Sequence, residues 1–492
     1  MRRKRSLIIL LAVLVLLSGT YVFLVNRPQK EEPDESKPVI EISKFDREKI
    51  VRMTIKNSNI DELVFETETR IVEEDNGENG EDSEPKEEKV WVTRKPYPVE
   101  LIQTKVTDLA RTFSSLTADQ IVEEEPEDLS IYGLDKPSAT GTAELDDGTK
   151  VTLFLGNKTA EGSTYYLMKD GDPKVYTVRS MHGERLNSPF SNFREKSLKQ
   201  IDLMTMKYLY ISGEGRREIE IVSSDDIPNK EDAYGFSAYY MIKPYKRPRG
   251  IDSTKLGEKF ESGLAGLVIK DFADDNPTDL AKYGLDNPKL HFVIRDENNT
   301  LDLSFGKSLD DGTIYFKTGD SDAVYLMDES SISFLDFKPL DITDKFALLV
   351  NIEDVDKVVV EGRGRKHTLS ITRTVKKAEK EGEEDETIAT YFLDGKEVEE
   401  DLFKDFYQSI IGIIFDTEKA HTAQGTPDLQ LTYYLNKGEK RQVSVAFYPY
   451  DDDFYSVVRD GDMESEFLVY KNRLNWVFED LEGFLAGKIR ED

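Results

Sequence analysis

The sequence predicts an α+β fold: an N-terminal transmembrane helix followed by three similar modules, each a mostly antiparallel sheet with one main helix. Three observations lead there. The phrase YGLDKP at 132–137 returns as YGLDNP at 283–288. Alternating, strand-like segments and one helical pattern recur in the same order around both copies, and a third time less completely. The first 25 residues pair a basic cluster with an uncharged apolar run.

The N-terminus begins MRRKRS and continues with 19 uncharged, mostly apolar residues from Leu7 to Val25. A helix of that length matches the hydrocarbon thickness of a bilayer. A cleaved signal peptide normally has a shorter apolar region that ends at small residues. Here YVFLV follows Ser18, Gly19 and Thr20 and lengthens the run. The expectation is therefore an uncleaved signal anchor over 1–26, with a single-pass chain in the cell membrane and its C-terminal modules outside the cytoplasm. NRPQKEEPDESKP at 26–38 reads as polar and Pro-containing, and 27–44 as a linker.

The modules are expected at 45–200, 201–350 and 351–492. Each opens on a hairpin-like stretch: MTIKNSNIDELVF at 53, LYISGEGRREIEI at 209 and VVVEGRGRKHTLSI at 358. An aromatic-led segment follows, WVTRKPY, YYMIKPY or YFLDGKE. A helix comes next, with apolar faces at Leu101, Leu109 and Phe113, at Leu256, Phe260, Leu264 and Leu267, and at Leu402, Phe406 and Ile410. The first two modules then carry the YGLD corner and two hairpins, and they close alike on FREKSL at 193–198 and ITDKFA at 342–347. The third keeps the alternation in TPDLQLTYYLN but has no YGLD, and FYPYDDDFYSVV replaces the hairpin closed by glycine. Two acidic stretches, 66–89 and 376–386, interrupt equivalent places and read as mobile hairpin extensions.

The corner residues are read as structural. Tyr132, Leu134, Tyr283 and Leu285 supply apolar anchors, Gly133 and Gly284 permit positive φ, and Pro137 and Pro288 hold the preceding residue extended. Asp135 and Asp286 are expected to bond nearby backbone amides, and Gly156 and Gly306 to close the hairpins that follow.

Composition narrows the function. A net charge of −31 over 492 residues repels phosphate backbones and anionic lipid headgroups, so no nucleic-acid partner is expected. Without cysteine there is no disulfide, thiolate nucleophile or cysteine metal site. The four histidines, His182, His291, His367 and His421, fall at unmatched positions outside any metal-ligand pattern. LGNKT at 155 and FGKS at 305 end like a phosphate-binding loop but lack its earlier glycine and open no helix. The DGD triplets at 170 and 460 and Asp451 to Asp453 have no EF-hand spacing, so no metal or other cofactor is expected. GRGRK at 362 reads as a hairpin tip, with an anionic partner as the alternative.

The anchor, the YGLD-x-P corner, the LFLGN hairpin, the STYYL and KVYTV strands and FREKSL together resemble the bacterial DUF4340 family, a domain of unknown function. The resemblance covers about 40–200 and 200–350 well and fades beyond Val350. It implies a membrane-anchored, non-enzymatic protein docking onto an integral-membrane complex, an ABC transporter of the gliding-motility type. Two other readings stand beside it. Aromatics in YGFSAYY (234–240) and FYPYDDDFY (447–455) would serve envelope polysaccharide binding, and a cleft of converging carboxylates would serve a hydrolase.

Overall fold

A computed structural model describes residues 39–72, 86–228, 233, 235–376, 386–438 and 441–488. The chain forms two compact units, one ending at Glu195 and one beginning at Lys196. The first holds an eight-stranded and a two-stranded sheet, the second two nine-stranded sheets.

The three large sheets share one strand order. Across the first lie Lys86–Lys95, Ile60–Val72, Ile50–Asn57, Ala139–Leu145, Lys150–Lys158, Thr164–Lys169, Val175–Arg179 and Gln120–Glu123, all antiparallel. Across the second lie Arg249–Gly250, Tyr239–Lys243, Ile219–Ser223, Tyr208–Gly213, Leu290–Arg295, Thr300–Ser308, Thr313–Thr318, Val324–Asp328 and Asp271–Asp274. The third repeats the second with Lys396–Val398, Glu386–Leu393, Arg365–Lys376, Val355–Gly362, Leu429–Leu435, Gln442–Pro449, Phe454–Arg459, Glu464–Tyr470 and Thr417–Thr422. Alternation explains the pleat: in Ala139–Leu145 every second residue is buried, and in Thr300–Ser308 Leu301, Leu303 and Phe305 face the core.

One amphipathic helix covers each sheet: α1 (Gln103–Ser114) in the first module; after a short α2 (Ser180–Leu186), α3 (Ser253–Ala265) in the second; and α4 (Glu400–Ile411) in the third. They bury Val106, Leu109 and Phe113, then Leu256 and Phe260, then Leu402, Phe406 and Ile410. Leu101 and Leu267 lie outside the helices; Leu101 bridges to Arg194 in extended chain.

The expected fold class needs correction. No helix among the described residues is long and apolar enough to cross a membrane. The run from Leu7 to Val25, on which the single-pass localisation rested, lies outside the described residues, and neither the anchor nor that localisation is carried forward. The architecture is four antiparallel sheets, and the third carries a second long helix, α5 (Lys471–Leu485). Of the two acidic stretches, residues 73–85 and 377–385 lie outside the described residues, and the flanks are strands. Residues 66–72 and 86–92 pair as a ribbon, in which Glu66 and Glu68 meet Arg94 across the strands.

Within the second unit the two sheets share one apolar core, running from Leu198 through Phe260 and Phe305 to Phe406 and Phe484. The segment 243–249 joins them. Tyr245 packs on Phe467 with ring centroids 5.1 Å apart, and its hydroxyl meets the Glu418 carboxylate, which also takes Arg217. Arg247 bonds Asp460 at 2.9 Å, and the buried Arg249 guanidinium lies 4.3 Å from the Phe467 ring centre. Phe346 and Ile414 form a bridge beside it.

Asp344 sits at this junction, its backbone N–H donating to Gly250 O at 2.8 Å. Burial pushes its carboxyl up to about 6, against the opposing pull of Arg249. The folded value lies above the unfolded one of about 3.9, so the contribution to stability is full below about pH 4 and lost as the pH rises through about 6. Asp344→Asn removes that loss. Urea unfolding at two pH values checks it: the variant gains on the order of 1–3 kcal/mol over the parent at pH 7 and nothing at pH 4. An equal difference at both pH values would contradict the assignment.

Candidate functional site

The twice-repeated corner builds the same object in both copies. Residues Leu129–Tyr132 and Leu280–Tyr283 are single 3-10 turns, each capped at its C-terminus by a left-handed glycine, Gly133 at φ 69° and Gly284 at φ 71°. The tyrosine hydroxyls reach back to the sheet edge, Tyr132 donating to Glu123 Oε2 and Tyr283 to Asp274 Oδ2, both at 2.6 Å. Their rings meet Tyr166 and Tyr315 edge-on at 5.0 Å. Leu134 and Leu285 are buried, and Pro137 and Pro288 are half-buried where the chain enters its next strand. Gly156 and Gly306 sit where the ladder slips register, between Leu155 and Lys158 and between Phe305 and Ser308. A Cβ at either would collide with the carbonyl oxygen of Tyr132 or Tyr283.

The expected capping carboxylate differs. Asp128 and Asp279 accept from the N–H of Ser130 and Ala281, whereas Asp135 and Asp286 are exposed and bond no described residue. An N-cap must precede its turn, so an Asp that follows the glycine is on the wrong side.

The candidate ligand residues do not converge. His182 lies 3.3 Å from Thr112 Oγ1, His291 2.8 Å from Asp302, His367 2.8 Å from Asp394, and His421 2.7 Å from Ser456. Among the described residues no group of three or more His, Asp or Glu side chains is placed to hold a metal ion. Asp172 and Asp451 are turn-formers, accepting from Lys174 N–H and from Asp453 and Phe454 N–H. Of the aromatics considered for polysaccharide, Tyr239, Tyr240, Phe447 and Tyr455 are buried, while Phe236 is 68 % exposed. A polar recess of about 170 Å³ in the first unit is lined by Arg47, Glu48, Lys89, Trp91 and Gln103. Its groups are largely spent on each other: Arg47 on Glu48, Lys89 on Glu48 O, and Gln103 on both backbone groups of Trp91.

The third module offers a different kind of place. Helix α5 has apolar residues at Leu474, Val477, Phe478, Leu481 and Phe484, a spacing that buries one face. The GRGRK turn pins it: Arg363 lies 3.9 Å from the Phe478 ring centre and donates to Asn475 Oδ1, and Arg365 pairs with Glu482. Arg473 holds the other end through Asp416 at 2.6 Å. These arginines are engaged in holding α5.

Between α4 and α5 runs a groove of about 200 Å³, lined by Leu402, Asp405, Phe406, Glu479, Asp480, Gly483, Phe484 and Lys488. Phe406 and Phe484 stack at 5.0 Å to form its floor, and Ser409 Oγ donates to Asp480 at 2.7 Å. A Cβ on Gly483 would meet nothing closer than Lys488 O at 3.4 Å, so there is room beside this glycine in the groove. Asp405 and Glu479 have no hydrogen bond or ion pair among the described residues. Trp476, one turn before Asp480, is 45 % exposed. The sequence reading missed this site, although the 3.6-residue period of 474–484 was its signal.

The corner generates a stability test. Gly156→Ala and Gly306→Ala should each cost about 1–3 kcal/mol by overpacking. Gly257→Ala, in a helix with nothing within 4 Å of the new methyl, should instead gain about 0.5–1 kcal/mol. Chemical denaturation of the three variants checks the contrast; a loss no larger for Gly156 and Gly306 than for Gly257 would contradict it.

Comparison with known proteins agrees with the repeat. The family model described as Domain of unknown function (DUF4340) matches residues 91–276 and again 251–407, together more than half of the chain. No curated protein and no solved structure matches. With two overlapping matches that together cover more than half of the chain, the chain belongs to the DUF4340 family.

Proposed function

We propose that this chain is a non-enzymatic docking protein, accessory to an integral-membrane complex of the ABC-transporter type. The α4–α5 groove carries the docking part of the reading. It is a groove between two helices, floored by the nearly buried Leu402, Phe406 and Phe484, in the one module whose second helix is long. The counterparts in the other modules are the seven-residue α2 and the 3-10 stretch Glu329–Leu335. In α2 the ring of Tyr165 fills the space over Gly183, and Phe334 of the 3-10 stretch packs on Gly263 of α3, whereas a Cβ at Gly483 would meet only Lys488 O within 4 Å. The transporter part rests on the family resemblance and is the finer claim.

The residues repeated between modules support the same reading. Tyr132, Gly133, Leu134 and Gly156, like their copies, are spent on turns, packing and a bulge, so the repeat multiplies surfaces and adds no reactive group. Of the aromatics that motivate the polysaccharide alternative, Tyr239 and Tyr240 belong to the interior, whereas Phe236 and Tyr450 are exposed.

Photo-crosslinking in cells tests the proposal. A photoreactive residue in place of Trp476 is expected to capture transporter subunits, and the same residue at Asp452 is not. Capture of no transporter subunit from 476, or equal capture from both positions, would overturn it.

A further inference from the structure

Resting on the groove as a docking face, we infer that its occupant is a cationic segment of a partner protein that inserts one large apolar side chain between α4 and α5. The volume supplies the first half. About 200 Å³ above Leu402, Phe406 and Phe484 admits one Leu- or Phe-sized group, and burying such a group is worth about 1.5–3 kcal/mol.

The rim supplies the second half. Asp405 projects from α4 and Glu479 and Asp480 from α5, and among the described residues lining the groove Lys488 is the one cation. Asp480 is already engaged by Ser409, but Asp405 and Glu479 meet no positive partner among the described residues. Three other carboxylates of this unit are matched by arginine: Glu418 by Arg217, Asp416 by Arg473, Glu482 by Arg365. Two unmatched carboxylates bordering an apolar floor repel each other and every acidic partner, and the repulsion is relieved by Lys or Arg side chains flanking the inserted anchor. An anchor with basic residues three or four positions to either side, as a helix presents them, places charge on both rims at once. A lipid surface or a nucleic acid would bring anionic groups to the same rim and is disfavoured by it.

The chain carries its own reporter. Its two tryptophans are Trp91 and Trp476, and Trp476 stands one turn from Asp480 on α5. In the full-length chain with Trp91→Phe, emission from Trp476 is followed on adding an ~18-residue synthetic helix of Lys, Leu and Ala with leucines on one face. A version with Glu in place of Lys is the comparison probe. The expected result is a saturable response to the Lys helix. Gly483→Leu, which fills the gap, and the double variant Asp405→Asn with Glu479→Gln should each weaken it by about tenfold or more, and Asp452→Asn with Asp453→Asn should leave it unchanged.

Equal weakening by the control pair would show diffuse attraction to an acidic surface and overturn the inference. A Glu helix that seats as well as the Lys helix, and remains sensitive to Gly483→Leu, would overturn the cationic partner while leaving the groove as a docking face. Insensitivity of both helices to Gly483→Leu would remove the docking face itself.

Discussion

The contact on which each complete module depends is the approach of a tyrosine carbonyl to a glycine that cannot carry a side chain. Tyr132 O lies against Gly156 and Tyr283 O against Gly306, at the point where the central hairpin slips its register. The chain has just crossed from the far edge of the sheet, and it must turn back into the next central strand within a few residues. A left-handed glycine makes the turn, a buried leucine fixes it, and the tyrosine hydroxyl ties it to the edge strand it came from. Edge, corner and bulge are thereby one unit, and a change at any of the three is felt at the others.

The third module shows what happens without that unit. Gln442–Pro449 pairs with Phe454–Arg459 with no register slip, so no glycine is required there. The edge strand is held by other means: His421 bonds Ser456 from Thr417–Thr422, while Tyr455 donates to Asp428 at 2.6 Å in the connection leading to the next strand. The same module extends its second helix, and the arginines of the GRGRK turn hold that helix in place. Relief from the corner and the appearance of an open groove thus occur in the same module, although no single contact links the two.

Some of this was legible in the letters. YGLD-x-P speaks of conformation because glycine and proline restrict or free φ directly, and the succession of strands and helix along each module follows from alternation placed between turns, although their order across the sheet does not. Other features depend on partners far away in sequence. Nothing near Arg249 or Tyr245 announces Phe467, Glu418 or the buried Asp344, so the weld between the second and third sheets could not be read locally. The cap is not legible in the repeated letters, because Asp135 lies inside the matched phrase while the capping Asp128 lies just outside it. Helix α5 was overlooked for the converse reason: its period is plain, but it has no long counterpart in the modules used as templates. The groove residues Asp405, Glu479 and Gly483 gain meaning only once α4 and α5 lie side by side.

The central claim is that the chain acts through a docking face between α4 and α5. Hydrogen exchange on the full-length chain, with and without the Lys, Leu and Ala helix, tests it most directly. The account predicts added protection confined to residues 402–409 and 476–488, with the three sheets and their corners unchanged. Protection spread over acidic turns throughout the chain, or centred on the recess beside Trp91, would contradict it.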